Sequence, residues 1–330
     1  MSVTEAPARQ DFVQAADPYR KELLAHCYRM LGSVHDAEDL VQETYLRAWR
    51  AYDKFEGRSS LRTWLYRIAT SACLNALESR SRRPLPTGLG EPSAEADATL
   101  VEKPEVPWLE PIPDGLVGSD ESDPAAAVTS RQSVRLAFIA ALQHLPPRQR
   151  AVLVLRDVLQ FRAAEVAEAV GVSTAAVNSL LQRARAQLDE AALREDEIVE
   201  PDSPDERELL NRYVAAFQNY DVPAIVELFT SDAVWEMPPY TAWYQGPETI
   251  GHLIASKCPA DGPGDQILVP TSANGQPAFG LYMLGEDGVH RAFHLQVLDV
   301  TPAGVRHVAA FFDTGLFEKF GLPPVLPPHR

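Results

Sequence analysis

Residues 31–55 read LGSVHDAEDLVQETYLRAWRAYDKF, and this stretch decides how the N-terminal part of the chain folds. Its apolar and weakly polar side chains recur at the three- and four-residue spacing of an amphipathic helix. They are Ala37, Leu40, Val41, Thr44, Tyr45, Ala48, Trp49 and Tyr52. The acidic residues Glu38 and Asp39 lie near the helix start, where the positive end of the helix dipole favours them. We therefore predict a long helix with one apolar face and an acidic, exposed face near its start.

A second predicted helix follows the small loop EGRSS, residues 56–60, and begins LRTWLYRIATSAC. It interleaves the basic residues Arg62 and Arg67 with the aromatic residues Trp64 and Tyr66. Basic groups beside exposed aromatic rings suit a nucleic-acid strand whose unstacked bases are held on side chains. The same composition fits a plain helical bundle with tryptophans in its core, and composition alone leaves both interpretations open.

The two helices together resemble region two of the extracytoplasmic-function sigma factors, the promoter-recognition subunits of bacterial RNA polymerase, from Leu31 to Leu77. The resemblance implies that the first helix docks on core polymerase through Asp36, Asp39, Leu40, Val41, Gln42 and Glu43. It also implies that the loop and the second helix melt the minus-ten element and capture a flipped base. The residues expected to do so are Arg58, Ser59, Ser60, Arg62, Trp64, Arg67, Ser71 and Asn75. The family usually has Asn at the position of Ser71 and commonly Asp at that of Asn75, so the preferred minus-ten sequence stays open.

Residues 131–194 predict four helices, of which the last two carry a helix-turn-helix pattern. Ala167 permits close helix approach, and Gly171 supplies the backbone freedom that the turn needs. Ser173 is a suitable N-cap for the last helix. A buried stripe of Val177, Leu181, Ala184 and Leu188 is expected on that helix. Spacing alone also allows a helical hairpin with no role on DNA.

This second block resembles region four of the same sigma family, whose last helix reads the minus-thirty-five element. Asn and Gln side chains can contact adenine edges in the major groove, and Arg side chains can contact phosphates. The expected contacts are Thr174, Ala175, Asn178, Ser179, Gln182, Arg183 and Arg185. The resemblance also implies that the face around residues 148–155 meets the polymerase flap.

Residues 84–130 form an acidic, proline-rich linker that contains VPWLEPIPDGL at residues 106–116. Prolines keep such a segment extended and reduce the entropy lost when it docks. We expect Trp108, Leu109 and Ile112 to anchor in an apolar groove of the C-terminal domain or of a domain interface. The alternative is a stray aromatic residue in a solvated linker.

Residues 203–320 begin with two helical segments and continue with strand-like runs joined by turns. Two stretches, 213–239 and 242–250, resemble the SnoaL-like polyketide-cyclase fold, an α+β cone that encloses a pocket. The pocket residues expected here are Trp235, Met237, Tyr240, Trp243 and His294. A fold does not set a function, and no acid/base pair in this block has a spacing that demands chemistry. We expect no catalytic residue, no metal and no cofactor, and we leave an unknown small ligand open.

The net charge of −16 is distributed unevenly along the chain: +2 over residues 1–83, −9 over 84–130, +4 over 131–194 and −13 over 195–330. The two basic blocks coincide with the two predicted DNA-binding regions. A strongly acidic domain tethered to them can cover their surfaces by electrostatic complementarity.

The expected architecture is multidomain: two all-α sigma domains at residues 11–83 and 131–194, joined by the linker and followed by the α+β SnoaL-like domain. Three widely spaced cysteines, no apolar run of about 20 residues and no signal-like start predict a cytoplasmic protein. Its expected partners are core RNA polymerase, promoter DNA and, within the chain, the SnoaL-like domain against the sigma domains and linker. No membrane partner is expected.

The function expected from these features is that of a sigma factor regulated in cis by its C-terminal domain and linker. Two alternatives remain open at this stage. One is a SnoaL-type cyclase or isomerase fused to a DNA-binding module, and the other is a helix-turn-helix regulator that works without polymerase. The DAEDLVQE segment, residues 36–43, favours the sigma factor over the second alternative, because such a regulator needs no polymerase-docking helix.

Overall fold

The structure, a computed structural model, describes residues 5–79, 82–117, 132–190 and 203–327. The chain divides into two compact units, of which the first contains residues 1–83 and 109–193. The second contains residues 84–108 and 194–330. The predicted linker therefore contributes to both units, and its residues 118–130 lie outside the described residues.

The N-terminal half of the first unit is a helical bundle. Its helices are α1 (Glu5–Ala16), α2 (Arg20–Leu31), α3 (Val34–Ala51) and α4 (Leu61–Glu78). Gly32, at φ 69°, ends α2 in the left-handed conformation, and the hydroxyl of Ser33 then caps α3 by accepting from the amide of Asp36. This tight connection packs α2 against α3, and both pack against α4.

The end of the linker, with α5, and the region-four-like residues form the rest of the first unit. The helices are α5 (Asp114–Val117), α6 (Leu136–Leu142), α7 (Pro147–Leu153), α8 (Ala163–Val170) and α9 (Thr174–Glu190), and α7 continues in a π-helical turn, Val154–Val158. Gly171 ends α8 at φ 73°, and the Ser173 hydroxyl accepts from the amide of Ala176 at 3.2 Å. Val177 and Ala184 are fully buried. The predicted helix-turn-helix is confirmed.

The second unit has the α+β class expected from the sequence. Its helices are α10 (Pro204–Gln218), α11 (Val222–Glu227), α12 (Pro247–Lys257) and α13 (Leu316–Lys319). Its strands are β1 (Phe229–Glu236), β2 (Trp243–Gln245), β3 (Gln266–Ala273), β4 (Gln276–Leu284), β5 (His290–Thr301) and β6 (Gly304–Phe311). They form one six-stranded sheet in the order β2-β1-β6-β5-β4-β3, in which β1 and β6 are parallel and the other pairs are antiparallel.

One hydrophobic core joins this sheet to its helices. Tyr213 and Phe217 of α10 pack with Trp235 of β1 and Phe279 of β4. Ala96, from the linker, is 3% exposed and belongs to the same core. Linker residues 84–108 are therefore part of this domain's structure rather than a solvated tether.

Candidate functional site

The exposed side of helix α3 carries only part of the predicted polymerase-docking set. Asp39 and Gln42 are exposed and Glu43 is half-buried, in an ion pair with Arg47. Leu40 and Val41 are 8% and 1% exposed. The expectation that these two apolar side chains present a docking surface is wrong for this conformation, because they form the helix's inward stripe.

Asp36, the remaining member of that set, belongs to a small polar network at the start of α3. Its carboxylate forms an ion pair of 2.6 Å with Arg83, and both side chains are largely buried. Glu110, from the linker, lies 3.7 Å from the same Arg83 guanidinium. It accepts hydrogen bonds from the hydroxyl of Ser33 at 2.7 Å and the amide of His35 at 3.4 Å. A carboxylate is favoured at this position because the first amides of a helix lack partners within the helix.

The backbone of Glu110 is fixed to the same place. Its amide donates to the carbonyl of Gly32 at 2.9 Å, and its carbonyl accepts from the hydroxyl of Tyr28 at 2.8 Å. The neighbouring anchor residues Leu109 and Ile112 are fully buried. Residues 109–117 are thus held on the region-two helices, whereas the sequence led us to expect a groove in the C-terminal domain or at a domain interface.

Trp108 lies on the other side of the division between the units. Its side chain is 9% exposed, and its indole N–H donates to the carbonyl of Lys103 at 2.9 Å. The apolar motif is therefore split, with Trp108 in the segment that belongs to the second unit and Leu109 and Ile112 in the first. A solvated, unstructured linker is inconsistent with this burial.

The loop before α4 presents polar residues for the predicted minus-ten contacts. Arg58 is exposed and pairs with Glu56 at 3.0 Å, and Ser59 is half-buried. Ser60 is the N-cap of α4, since its hydroxyl accepts from the amide of Thr63 at 3.0 Å. Ser60 therefore has a structural role as a helix cap, in addition to its predicted contact with DNA.

Trp64 is not an exposed stacking residue, and that expectation is wrong. Its side chain is 7% exposed and packs against Phe55 and Tyr52, with ring centroids 4.9 and 6.4 Å away. Tyr66 is likewise buried. Both residues form the aromatic core of the bundle, which is the alternative that composition left open.

Arg62 is engaged within the fold. Its guanidinium pairs with Glu22 at 2.8 Å and lies 5.0 Å above the rings of both Tyr66 and Phe161. Burial opposes its protonation, but the hydrogen bond that Arg62 donates to Glu22 and the charges nearby raise the pKa of Arg62 overall. It therefore stays charged and helps to hold α4 against the region-four residues, and it is not a free phosphate contact in this arrangement.

Two carboxylates of α8, the first helix of the helix-turn-helix, contact α4, the helix predicted to bind the minus-ten element. Glu168 of α8 forms an ion pair with Arg67 of α4. Glu165, also of α8, accepts from the hydroxyl of Thr63 at 3.4 Å. These acidic groups contact α4 beside the predicted minus-ten residue Arg67, and sequence patterns on α8 gave no signal of this contact.

A groove of about 890 Å³ lies beside these contacts, within the first unit. One wall is α4, with Trp64, Arg67, Ser71 and Asn75, and the other is formed by residues 146–148 and 168–171. Ser71 and Asn75 are exposed in this groove. The structure therefore brings four of the five predicted minus-ten residues of α4, all but Arg62, to one groove that residues 146–148 and 168–171 also line.

The predicted minus-thirty-five residues share the exposed face of α9. All seven are exposed: Thr174, Ala175, Asn178, Ser179, Gln182, Arg183 and Arg185. Arg183 donates to the carbonyl of Ser179 at 3.3 Å, and Arg185 pairs with Asp157 at 2.7 Å. In a helix-turn-helix, the N-terminal part of the second helix enters the major groove, and these exposed residues lie on that helix.

The predicted flap-contact face of α7 is mostly interior. Arg150 is 3% exposed, and residues 151–155 are buried as well. The guanidinium of Arg150 donates to the carbonyl of Met30 and, at 2.8 Å, to the side-chain oxygen of Gln143, and burial lowers its pKa to about 10. This arginine joins the region-two and region-four helices, so in this conformation most of the face is not open to a partner.

The predicted pocket residues of the C-terminal domain have different surroundings. Trp235, Met237 and His294 are buried, and Tyr240 is half-buried beside the same core. Trp243 is half-buried and is not part of the hydrophobic core that contains its neighbour Tyr244. Its indole N–H instead donates to the carbonyl of linker residue Gly90 at 2.9 Å.

A charged cluster that the sequence did not reveal also contacts the linker. Glu236 of β1 is fully buried and lies 2.7 Å from the ring of His307 on β6. Its second carboxylate oxygen accepts from the amide of Thr87 at 3.0 Å. Burial disfavours protonation of His307, yet Glu236 outweighs it and raises the pKa of His307. Glu236 and His307 are 71 positions apart in the sequence, and the pairing of β1 with β6 brings them together. No local sequence pattern could therefore have predicted this contact.

Further main-chain bonds fix the linker along this domain. The amide of Ser93 donates to the carbonyl of Trp243 at 2.7 Å, and that of Lys103 to Pro239 at 2.9 Å. The amide of Thr241 donates to Val101 at 3.2 Å. No helix of the described residues is long and apolar enough to cross a membrane, and no acidic, histidine or cysteine cluster among them could hold a metal ion.

Comparison with known proteins agrees with this architecture. The family description Sigma-70 region 2 matches residues 16–83, and Sigma-70, region 4 matches residues 135–188. The ECF RNA polymerase sigma factor SigG of Mycobacterium tuberculosis (strain CDC 1551 / Oshkosh) is 62% identical over 319 residues, 96% of this chain and 85% of that protein.

A second relative extends the comparison to a solved structure. The ECF RNA polymerase sigma factor SigJ of Mycobacterium tuberculosis (strain ATCC 25618 / H37Rv) is 30% identical over 328 residues, 95% of this chain and 94% of that protein. The crystal structure of SigJ matches with a TM-score of 0.61 and 26% identity, covering 94% of this chain and all of that one. The chain therefore belongs to the extracytoplasmic-function (ECF) RNA polymerase sigma factors.

Proposed function

We propose that this sigma factor is regulated in cis, by region four covering the minus-ten helix and by a linker that its C-terminal domain holds. As a member of its family the chain binds core RNA polymerase and directs promoter-specific initiation, and it is not an enzyme. The proposal concerns which residues carry these roles and how they are controlled. The proposed location is the cytoplasm, because that is where a sigma factor binds RNA polymerase.

The proposed contacts to polymerase are polar residues on the outer side of α3, namely the exposed Asp39 and Gln42 and the half-buried Glu43. On α4 and its loop, Arg58, Arg67, Ser71 and Asn75 are the proposed minus-ten contacts. On α9, Asn178, Ser179 and Gln182 are proposed to read minus-thirty-five bases, while Arg183 contacts the backbone. All of them except the half-buried, ion-paired Glu43 and Arg67 are exposed, and this exposure supports these roles.

The resting arrangement of the first unit differs from the one that a promoter requires. Elements centred near positions −10 and −35 are separated by roughly 85 Å of B-DNA, at about 3.4 Å per base pair. Helix α4 and helix α8 are instead in direct contact, through Arg67 with Glu168 and Thr63 with Glu165. The two DNA-binding regions must separate before one molecule engages both elements, so these contacts oppose promoter binding.

The division of the linker is the observation that carries the regulatory proposal. Residues 84–108 bond to the C-terminal domain through Thr87, Ser93, Val101 and Lys103. Residues 109–117 are bound to α2 and the start of α3 through Glu110. The same short segment is thus held at both ends, and a movement of one end is transmitted to the other through the chain.

Truncations test the proposal. The full-length protein, a form ending at Ile198 (outside the described residues) and a form ending at Gly321 are each combined with core polymerase and a promoter library. The last form loses Leu326, whose amide donates to His290 at 3.0 Å along β5, and Pro323, whose carbonyl accepts from Tyr282 at 2.8 Å. We expect specific transcripts from the full-length protein, and promoter activity altered by at least one truncation.

The outcomes separate the two parts of the proposal. Absence of transcripts from every form would exclude promoter-directed initiation by these residues. If all three forms give specific transcripts with equal activity, the protein is a sigma factor that its C-terminal domain does not regulate in cis. Circular dichroism of each form checks that its helical part is folded.

A further inference from the structure

The end of helix α7 carries two neighbouring backbone irregularities. Residues 154–158 form a π-helical turn, closed by a hydrogen bond of 2.9 Å from the amide of Leu159 to the carbonyl of Val154. Gln160 follows with a φ of 56°, in the left-handed region that residues other than glycine rarely adopt. Its side-chain amide donates to the carbonyl of Asp157 at 2.6 Å. π-Helical turns and strained residues are frequent at functional sites, and the acidic side chain that this turn presents is Asp157.

The carboxylate of Asp157 binds Arg185 of α9 through two parallel hydrogen bonds, which form a fork. Arg185 donates from Nη2 to Oδ1 at 2.7 Å and from Nε to Oδ2 at 2.8 Å. Two parallel bonds fix the plane of a guanidinium. The side chain of Arg185 is 58% exposed and that of Asp157 is 31% exposed, and exposed ion pairs contribute little to the free energy of folding. The fork therefore sets the orientation of Arg185 rather than the stability of α9.

Arg185 lies on the face of α9 that is proposed to read minus-thirty-five bases. It comes seven residues after Asn178 and three after Gln182, and these spacings place all three on one side of the helix. Seven residues advance about 10 Å along a helix axis, and the major groove is about 12 Å wide. When Asn178 contacts the bases, Arg185 therefore reaches the edge of the groove, where the phosphates lie.

We propose that Asp157 is a positioning residue for minus-thirty-five recognition, which orients Arg185 as a contact to the DNA backbone. The fork uses two of the five N–H groups of a guanidinium, and a phosphate binds such a group at another edge. Holding the long side chain in place beforehand reduces the rotamer entropy that it loses on DNA. The π-helical turn supplies Asp157 from outside the two helices of the helix-turn-helix. This inference rests on the proposed function, in which α9 reads the element.

Holoenzyme assembled from core polymerase and the full-length protein tests this role. Fluorescence anisotropy measures its affinity, at several salt concentrations, for a promoter duplex and for the same duplex with a scrambled minus-thirty-five element. Asp157→Asn removes a negative charge near DNA, so charge repulsion alone predicts tighter binding. Loss of positioning predicts the opposite, an affinity about two- to fivefold lower with the salt dependence reduced by about one phosphate contact, as in Arg185→Ala. Asp157→Glu keeps the fork and should bind like the wild type, and Glu208→Gln, at an exposed position of α10, controls for net charge.

A double variant separates positioning from a purely structural role. Asp157→Asn should have no further effect in the Arg185→Ala background, because the carboxylate acts through the arginine. A further loss in that background, or unchanged or tighter binding by Asp157→Asn alone, would overturn the inference. Arginine NMR of the full-length protein gives a readout without DNA. The Nε–H of Arg185 should exchange with water more slowly in the wild type than in Asp157→Asn, and equal exchange would show that the fork does not hold Arg185.

Failure of the proposed function gives a different result. If wild-type holoenzyme binds the promoter and scrambled duplexes equally, α9 does not read the element, and this inference falls with that assignment. If the wild type discriminates between the duplexes and Arg183→Ala weakens binding while Asp157→Asn does not, only the positioning role of Asp157 is refuted.

Discussion

The carboxylate of Glu110 accepts a hydrogen bond of 2.7 Å from the hydroxyl of Ser33, the N-cap residue of helix α3. One linker residue is thereby bonded to the start of the helix that is proposed to dock on polymerase. The same hydroxyl accepts from the amide of Asp36 at 3.1 Å, and Arg83 pairs with both Asp36 and Glu110. Linker position and helix start are therefore physically coupled.

Replacing Glu110 should loosen this attachment. In Glu110→Gln the charge near the helix start and the Arg83 attraction are lost, which reduces the free energy of local opening by about 1–2 kcal/mol. In the wild-type protein the amide of residue 110 donates a hydrogen bond to the carbonyl of Gly32. Hydrogen exchange at this amide should be faster in the variant. Glu105→Gln, at an exposed linker position, serves as the control and should leave that amide unchanged. Equal protection in both variants would contradict the anchoring role.

Glu168 is expected to compete with promoter DNA for Arg67. Glu168→Gln removes the ion pair and should increase affinity for single-stranded DNA of the minus-ten element about two- to fivefold, because exposed ion pairs contribute only about 0–1 kcal/mol. Fluorescence anisotropy measures this change. Glu208→Gln makes the same charge change on an exposed position of α10 and controls for net charge. If both variants gain equally, α8 does not cover the DNA-binding face.

The exposed face of α9 predicts two kinds of effect on minus-thirty-five binding. Asn178→Ala should cost about 1–3 kcal/mol on the cognate element and less on other sequences, because it removes a base contact. Arg183→Ala should weaken binding evenly across sequences and lower the salt dependence by about one phosphate contact. Gln187→Ala, exposed farther along the helix, is the control. Binding titrations at several salt concentrations separate these results, and identical behaviour of Asn178→Ala and Arg183→Ala would refute the assignment.

Local signals were enough for much of the fold. The helix-turn-helix was predictable because its turn depends on neighbours, with Gly171 at positive φ and Ser173 as a cap. The exposed face of α9 followed from helical periodicity alone. The α+β class of the C-terminal block followed from helical segments preceding alternating strands.

Tertiary pairing decided what the sequence could not. Composition left open whether Trp64 is exposed or in the core, and the contacts with Phe55 and Tyr52 that bury it come from tertiary packing. Trp243 was assigned to the pocket because the strand's inward residue, Tyr244, could not be identified without its register. Glu110 reaches Ser33 across 77 positions, so its role in holding the linker left no local pattern.

The Glu236–His307 pair should make the C-terminal domain depend on pH in a defined direction. Burial alone would lower the pKa of His307, but the hydrogen bond and charge of Glu236, helped by Asp299 against Arg306, raise it. The unfolded chain has a histidine pKa of about 6.5. The folded domain therefore binds more protons between that value and the raised pKa. The stabilisation is complete below about pH 6.5 and is lost as the pH rises through the folded-state pKa.

Glu236→Gln should lower the pKa of His307 and remove this pH dependence from the domain's thermal unfolding. A histidine NMR titration gives the pKa, and melting curves at pH values from 6 to 9 give the stability. Asp232→Asn, an exposed position on the same strand, should change neither. A His307 pKa that is the same in wild type and Glu236→Gln would show that the buried carboxylate does not hold the proton there, and the pH dependence would then need another source.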